Sequence, residues 1–301
     1  MALSLYNIKK WYLMLIGRSI LHVNQDLGRF FSASELKGYY NNLTEKVTRL
    51  PELLDTDQLP TTKTEANEQV FFPVAVFQYG LGAYDLYLAS EEKDERFLRK
   101  FLQCAHWAVE HQEPSGAWNN FFFMHPDHPY GAMAQGEGAS LLLRAYGHSG
   151  DHRFLAAAKK AIDFMLTPLA DGGTAEGDVL MEYTHLPAVM NGWIFAWWGL
   201  FDYVLQTHDE GRYKTALDRS CQALEEGLPQ FACSYWSMYD LAGHIASPFY
   251  HHLHIAQMQA MFQLTGHEVF RQYAERWQRN EDSRFSHARA FVKKAWQKVR
   301  E

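Results

Sequence analysis

The 301-residue sequence is short of cysteine, holding Cys104, Cys221 and Cys233 and no others. An odd, scattered set without metal-ligand spacing argues against a disulfide framework and makes a reducing, cytoplasmic compartment the expectation. Basic charge is also scarce: 28 Lys and Arg face 35 Asp and Glu, a formal net charge of −7. No basic patch is interleaved with aromatics, so nucleic acid is not an expected partner. Long apolar runs are missing too. The stretch Trp11 to Ile16 follows Lys9 and Lys10 but is cut by Gly17 and Arg18, too short for a signal-peptide core or a membrane span. A helix over residues 11–23 is expected to pack on its own domain, or to rest on a membrane surface or another subunit; a homodimer fits the same feature. Glycine-rich phosphate loops and nucleophile elbows are absent, so neither a cofactor nor a metal is expected. Strand-like alternation is confined to short pieces such as Gly116 to Met124.

What the chain does hold is apolar and aromatic material, with 47% hydrophobic and 15% aromatic residues, ample for a packed core. Residues 1–70 read as a helical N-terminal lead, with a helix around Ser34 to Thr48 and a loop from Pro51 to Asn67 marked by Pro51, Pro60, Asp55 and Asp57. From residue 71 to 301 a helical hairpin recurs, in segments beginning near Gln78, Ala134, Met190 and Leu253. The aromatics that open the second helix of each, Phe97, Phe154, Tyr213 and Phe270, are 57, 59 and 57 residues apart. Four hairpins at nearly constant period predict an all-α repeat fold. Their long aromatic linkers favour an α/α toroid, a complete or incomplete (α/α)6-like barrel with short β-hairpin-like loops at its mouth, over an open solenoid. Gly80, Gly82, Gly136, Gly138 and Gly192 are read as small residues at the starts of the inner helices.

The mouth loops are then Trp118 to Tyr130, Met181 to Asn191, and the stretch Ser234 to Gln259, dense in phenols and imidazoles. Tyr130, Tyr183 and Tyr250 fall in three different loops. A phenol, with a reference pKa of about 10, is a strong base when ionised and a competent acid when neutral. Glu137, Glu182 and Asp240 are carboxylates able to orient them, or to form the acid and base pair of a glycoside hydrolase. His251 and His254, spaced i, i+3, are two of the ligands a metal would need. His125 and His128 read as surface or substrate-groove residues.

Six motifs in order then carry a resemblance: YGLGAYDLYL at Tyr79 to Leu88, SGAW at Ser115 to Trp118, YGAMAQGEGASLLLRAY at Tyr130 to Tyr146, EYTHLPAVMNGWIFAWWGLFDY at Glu182 to Tyr203, YDL at Tyr239 to Leu241, and YHHLHIAQMQ at Tyr250 to Gln259. Over roughly Phe72 to Trp277 the chain resembles the C-terminal catalytic domain of D-glucuronyl C5-epimerases, which convert D-glucuronate to L-iduronate within heparan-type chains. The family's β-rich N-terminal domains have no counterpart here, as expected of a bacterial-type homologue.

The resemblance implies that Tyr183 and Tyr250 transfer protons at C5. It also places Tyr130 and Glu182 in the site, and implies a partner that is a glycan or uronate-containing polysaccharide under assembly. The expected substrate-binding set adds Asn191, Tyr239, Trp118 and Gln135, with His244, His251 and His254 as stand-ins for a missing cation. After the YDL motif the family carries an arginine, a bidentate partner for a carboxylate; this sequence has Ala242. The readings are therefore a C5-epimerase-like enzyme, a hydrolase or lyase of the toroid class, or a non-catalytic glycan-binding protein.

Overall fold

The computed structural model describes residues 22–300, so the helix expected over residues 11–23 lies almost wholly outside the described residues. After a short helix α1 (Thr44–Thr48), four hairpins follow: α2 (Pro73–Ala89) with α3 (Glu95–Glu110), α4 (Ala132–Ser149) with α5 (His152–Met165), α6 (Met190–Thr207) with α7 (Arg212–Gly227), and α8 (Pro248–Thr265) with α9 (Glu268–Asp282). A last helix, α10 (Arg284–Arg300), trails them. The fold is an α/α toroid, and among the described residues four hairpins form its arc. Helices α2, α4, α6 and α8 are apolar nearly all round and form the inner layer; α3, α5, α7 and α9 are amphipathic and turn their polar faces to solvent. Asp94 and Asp151 cap α3 and α5 by accepting from the backbone N–H of Arg96 and Arg153. Among the described residues no helix is long and apolar enough to cross a membrane.

Inner helices start earlier than the repeat suggested, at Pro73 and Pro248 in two cases, because proline suits the first helical turn. The glycines accordingly sit inside the helices. A Cβ on Gly136 would lie 2.5 Å from Ala196 Cα, and one on Gly199 would lie 2.4 Å from Gly136 Cα, so α4 and α6 touch backbone to backbone. Gly82 makes the same allowance for Leu43 O, at 2.4 Å.

Residues 22–48 do not form the helix expected around Ser34 to Thr48, except at α1. Their backbone polar groups are instead held by the far ends of the inner helices. Arg144 of α4 donates to Lys37 O (2.8 Å) and Gly38 O (3.0 Å), and Asp85 of α2 accepts from Tyr39 N (3.0 Å). Arg144 also pairs with Asp202 of α6 at 2.6 Å, and Tyr40 donates to that carboxylate. Tyr39 and Tyr40 pack on Trp198 of α6. Asp85, Arg144 and Asp202 each stand twelve residues after the first residue of their helix, about 18 Å below the helix entrances. The segment therefore plugs the far end of the lumen, and Asp26 reaches α8 at His252 Nε2 (2.6 Å).

The two described β-hairpins are minimal, Thr62–Lys63 with Gln69–Val70 and Ala175–Glu176 with Val179–Leu180. Gly116 to Met124, expected to have strand character, is irregular and turned, because Gly116 sits at φ 93 against Lys160 O and the loop folds back, Phe121 N donating to Pro129 O.

Asp202→Ala would leave the buried Arg144 guanidinium without its counter-ion. A loss of about 3–5 kcal/mol is expected, measured by urea denaturation; a loss below about 1 kcal/mol would show that the plug is held by its aromatics alone.

Candidate active site

The mouth loops are tied to one another by their backbones. Ala132 N donates to Met181 O, Leu241 N to Ala188 O, and Met190 N to Tyr239 O. Glycine is required twice here. A Cβ on Gly131 would meet Glu182 O at 2.0 Å, and one on Gly192 would meet Glu182 Oε2 at 2.2 Å. The Glu182 side chain is thus laid flat on the first turn of α6, 7% exposed.

Three phenols converge on it. Tyr183, next in sequence, is in polar contact with Glu182, and its ring stacks on Phe121 with centroids 4.6 Å apart. Tyr239 stands between Tyr183 and Tyr250 in polar contact with both, its ring 4.8 Å from that of Tyr250. Tyr250 is the third residue of α8, where the Ser247 hydroxyl caps the helix by accepting from Tyr250 N. Burial, then the Glu182 charge, raises the pKa of all three phenols above the usual value of 10. At rest they are neutral acids.

The carboxyl behaves likewise. Burial pushes Glu182 up to about 8, and Glu137, one turn inside α4, also up to about 8. Glu137 Oε1 accepts from Gln78 Nε2 at 2.8 Å, and the buried Lys46 of α1 acts on it electrostatically. Glu182 Oε2, Glu137 Oε2 and Asn191 Nδ2 are buried without a hydrogen-bond partner. Orphaned polar atoms are costly in a folded protein, and the one on Glu182, which the phenols surround, marks a place able to receive a polar ligand.

Other expected site residues fall elsewhere. Trp118 is buried in the core, Nε1 donating to Ala108 O, and Gln135 brackets its backbone from both sides. His251 and His254 are fully buried with both Nδ1 atoms on the Ser237 hydroxyl. Since Ser237 N–H also donates to His251 Nδ1, the proton of that ring is on Nε2, facing Trp277 O. Burial holds both imidazoles neutral. All four are thus buried with polar partners of their own, although His254 Nε2 has none. Tyr130 turns away from the other phenols and donates to Glu113 at 2.6 Å, a bond that raises its pKa to about 12. His244 is half-buried and pairs with Asp240 at 2.7 Å.

Two neighbours were invisible in the sequence. His185, exposed, stacks on His128 (4.1 Å) and lies 4.8 Å from His125, forming an imidazole rim over Tyr183. Lys294 of α10 stands with Nζ 5.7 Å from the centre of the Tyr239 ring. Its helix is held there by Gln297, which bonds Ile245 N and Gly243 O around the Ala242 turn. An open concavity of about 560 Å³ between Leu27, Gln263 and Arg271 shares no residue with the phenols, and its charged side chains, Arg271, Glu275 and Arg279, are exposed.

Residues 112–279, more than half of the chain, match the family described as D-glucuronyl C5-epimerase C-terminus. An uncharacterized protein of Methanocaldococcus jannaschii is 29% identical over 49% of this chain and 51% of its own length. The D-glucuronyl C5-epimerase of Caenorhabditis elegans is 26% identical over 62% of this chain and 35% of its own. The chain thus spans about half or less of these relatives. Among solved structures, the unsaturated glucuronyl hydrolase of Bacillus sp. GL1, titled as responsible for the degradation of glycosaminoglycan, aligns with a TM-score of 0.51 at 12% identity, over 82% of this chain and 66% of that one. A complex of such a protein with dGlcA-Glc-Rha-Glc aligns equally well. These last two speak to the fold.

Glu137 and Glu182 keep their protons far above the ordinary 4.5 of a glutamate. Between that value and about 8 the folded chain binds more protons than the unfolded one, so stability falls as pH rises through this window. Glu137→Gln should flatten the fall and be the more stable protein at its alkaline end, read from denaturation midpoints against pH. An unchanged slope would mean that Glu137 ionises freely.

Proposed function

Because the chain belongs to the D-glucuronyl C5-epimerase C-terminus family, we propose that it inverts C5 of uronate residues in a glycan, with Tyr183 and Tyr250 as paired acid and base. The observation that carries the reading is the meeting of phenols from separate segments, Tyr183, Tyr239 and Tyr250, over a buried carboxyl and amide with unpartnered atoms. The C5 proton lies α to a carboxylate. One phenol, ionised, takes that proton; the electrons move into the carboxylate as an enediolate; the other phenol gives a proton to the opposite face of C5. The two phenols exchange roles in the reverse direction. Glu182, Asn191 and Tyr239 position the sugar by hydrogen bonds to its hydroxyls.

Charge is the hard part of this reaction, since a phenolate must form beside a substrate carboxylate. A fixed cation near the developing enediolate lowers that barrier. Lys294, near Tyr239 and across the turn from Ala242, supports this role in place of the family's arginine. It acts as a point charge, without a bidentate fork.

Hydrolase or lyase chemistry is the second reading, favoured by the electrostatically linked carboxyls Glu137 and Glu182. It would yield shortened chains or an unsaturated sugar.

In deuterated water, a uronate polymer incubated with the protein should take up deuterium at C5 without chain shortening. Tyr183→Phe and Tyr250→Phe should each lower uptake by about 10²–10⁴-fold, with the fold intact by circular dichroism. Uptake indifferent to both substitutions, or no uptake from any uronate polymer, rules the proposal out. Lys294→Gln should weaken kcat/KM by about 10- to 100-fold, the scale of a lost charged hydrogen bond, and Lys294→Arg should recover part of it. Equal activity in Lys294→Gln would remove the lysine from the mechanism.

A further inference from the structure

Away from the mouth, on the outer layer, three chemically distinct donors meet. Cys221 and Glu225 are four apart on α7 and so share a face. His267, the residue before α9, is brought to them by the left-handed turn at Gly266 (φ 72), and its backbone N–H is pinned by Thr265 Oγ1. Cys221 Sγ lies 3.5 Å from Glu225 Oε1 and 4.0 Å from His267 Nδ1, and His267 Nδ1 bonds Glu225 Oε1. The three ligand atoms fall within 4.8 Å of one another, the one such group found among the described residues.

We propose that Cys221, Glu225 and His267 form a binding site for a zinc-like divalent cation that staples α7 to α9. A tetrahedral zinc with bonds of about 2.0–2.3 Å sets its donors about 3.4–3.6 Å apart. The sulfur already stands at that spacing from the carboxylate and slightly beyond it from the imidazole. The imidazole–carboxylate bond opens to the same donor spacing, each of its partners exchanging a hydrogen bond for a metal bond. Thiolate, imidazole and carboxylate together favour zinc over magnesium or calcium, which take oxygen donors.

The site is asymmetric in the way an acquired ion needs. Cys221 is buried at 4% exposure, whereas the His267 side chain is half exposed, so the ion enters from solvent and meets the sulfur last. Without an ion, burial holds the thiol pKa up at about 12; binding displaces that proton to water and leaves a metal thiolate. Water completes the coordination on the exposed side. The group shares no residue with the phenol cluster, so its role is to fix the outer layer.

Cobalt(II) is the probe, because a thiolate ligand gives a near-ultraviolet charge-transfer band and a tetrahedral site gives strong visible bands. The intact chain, freed of metal by chelator, should bind one equivalent with both signatures, and zinc should displace it and raise the melting temperature. Cys221→Ser should abolish the charge-transfer band, while Cys233→Ser keeps it. His267→Gln and Glu225→Gln, both at partly exposed positions, should weaken binding at least tenfold without loss of helical content. A band that survives Cys221→Ser, or the absence of any saturable band and of any thermal shift with zinc, overturns the proposal. Deuterium exchange into a uronate polymer tests the phenol site separately, so the two can fail independently.

Discussion

The buried pair Arg144–Asp202 is the contact on which the rest of the structure leans. A guanidinium and a carboxylate at 1% and 0% side-chain exposure would be a severe liability if either stood alone. Each is saturated: Arg144 also donates to Lys37 O, Gly38 O and Ser140 O, and Asp202 also accepts from Tyr40. That satisfaction draws residues 37–40 across the far end of the arc, where four hairpins would otherwise leave an open channel. The pair joins two neighbouring inner helices and the N-terminal segment in one polar knot, while Tyr39, Tyr40, Trp198 and Phe195 pack around it.

With the far end plugged, the polar cluster among the described residues lies at the helix entrances. There the loops are short of freedom rather than of contacts. Gly131 and Gly192 let the backbone and side chain of Glu182 lie against α4 and α6, and the strand-like contact between Val189 and Asp240 carries Tyr239 toward Tyr183. The low dielectric that keeps the phenols and Glu182 neutral also strengthens any charge brought nearby. Lys294 of α10 stands beside Tyr239, and the rings of His125, His128 and His185 gather over Tyr183.

Several features were readable from the residues because they depend on local pattern. The ruler Phe97, Phe154, Tyr213 and Phe270 does mark the outer helices, each near the start of its element, because an amphipathic helix packing on an inner one needs a large apolar group in its first turn. Tyr183, Tyr239 and Tyr250 lie together around Glu182 in the structure. His251, His254, Trp118 and Gln135 share one feature that the sequence does not show: each is buried on a partner, Ser237, Ala108 O or the Trp118 backbone, that only folding brings to it. Tyr130 turned outward because Glu113, seventeen residues earlier, offers its hydroxyl a closer acceptor.

The sequence by itself determined the helical repeat, the division into inner and outer layers, and which loops carry phenols, since periodicity and glycine placement act over a few turns of chain. Tertiary structure decided what closes the lumen, which of the polar residues are orphaned, and which distant groups become neighbours. Lys46 with Glu137, Lys294 with Tyr239, and His267 with Cys221 are separated by 91, 55 and 46 residues. Their electrostatics depends on distance through a low-dielectric interior, and distance across the fold is a property that no local pattern of residues encodes.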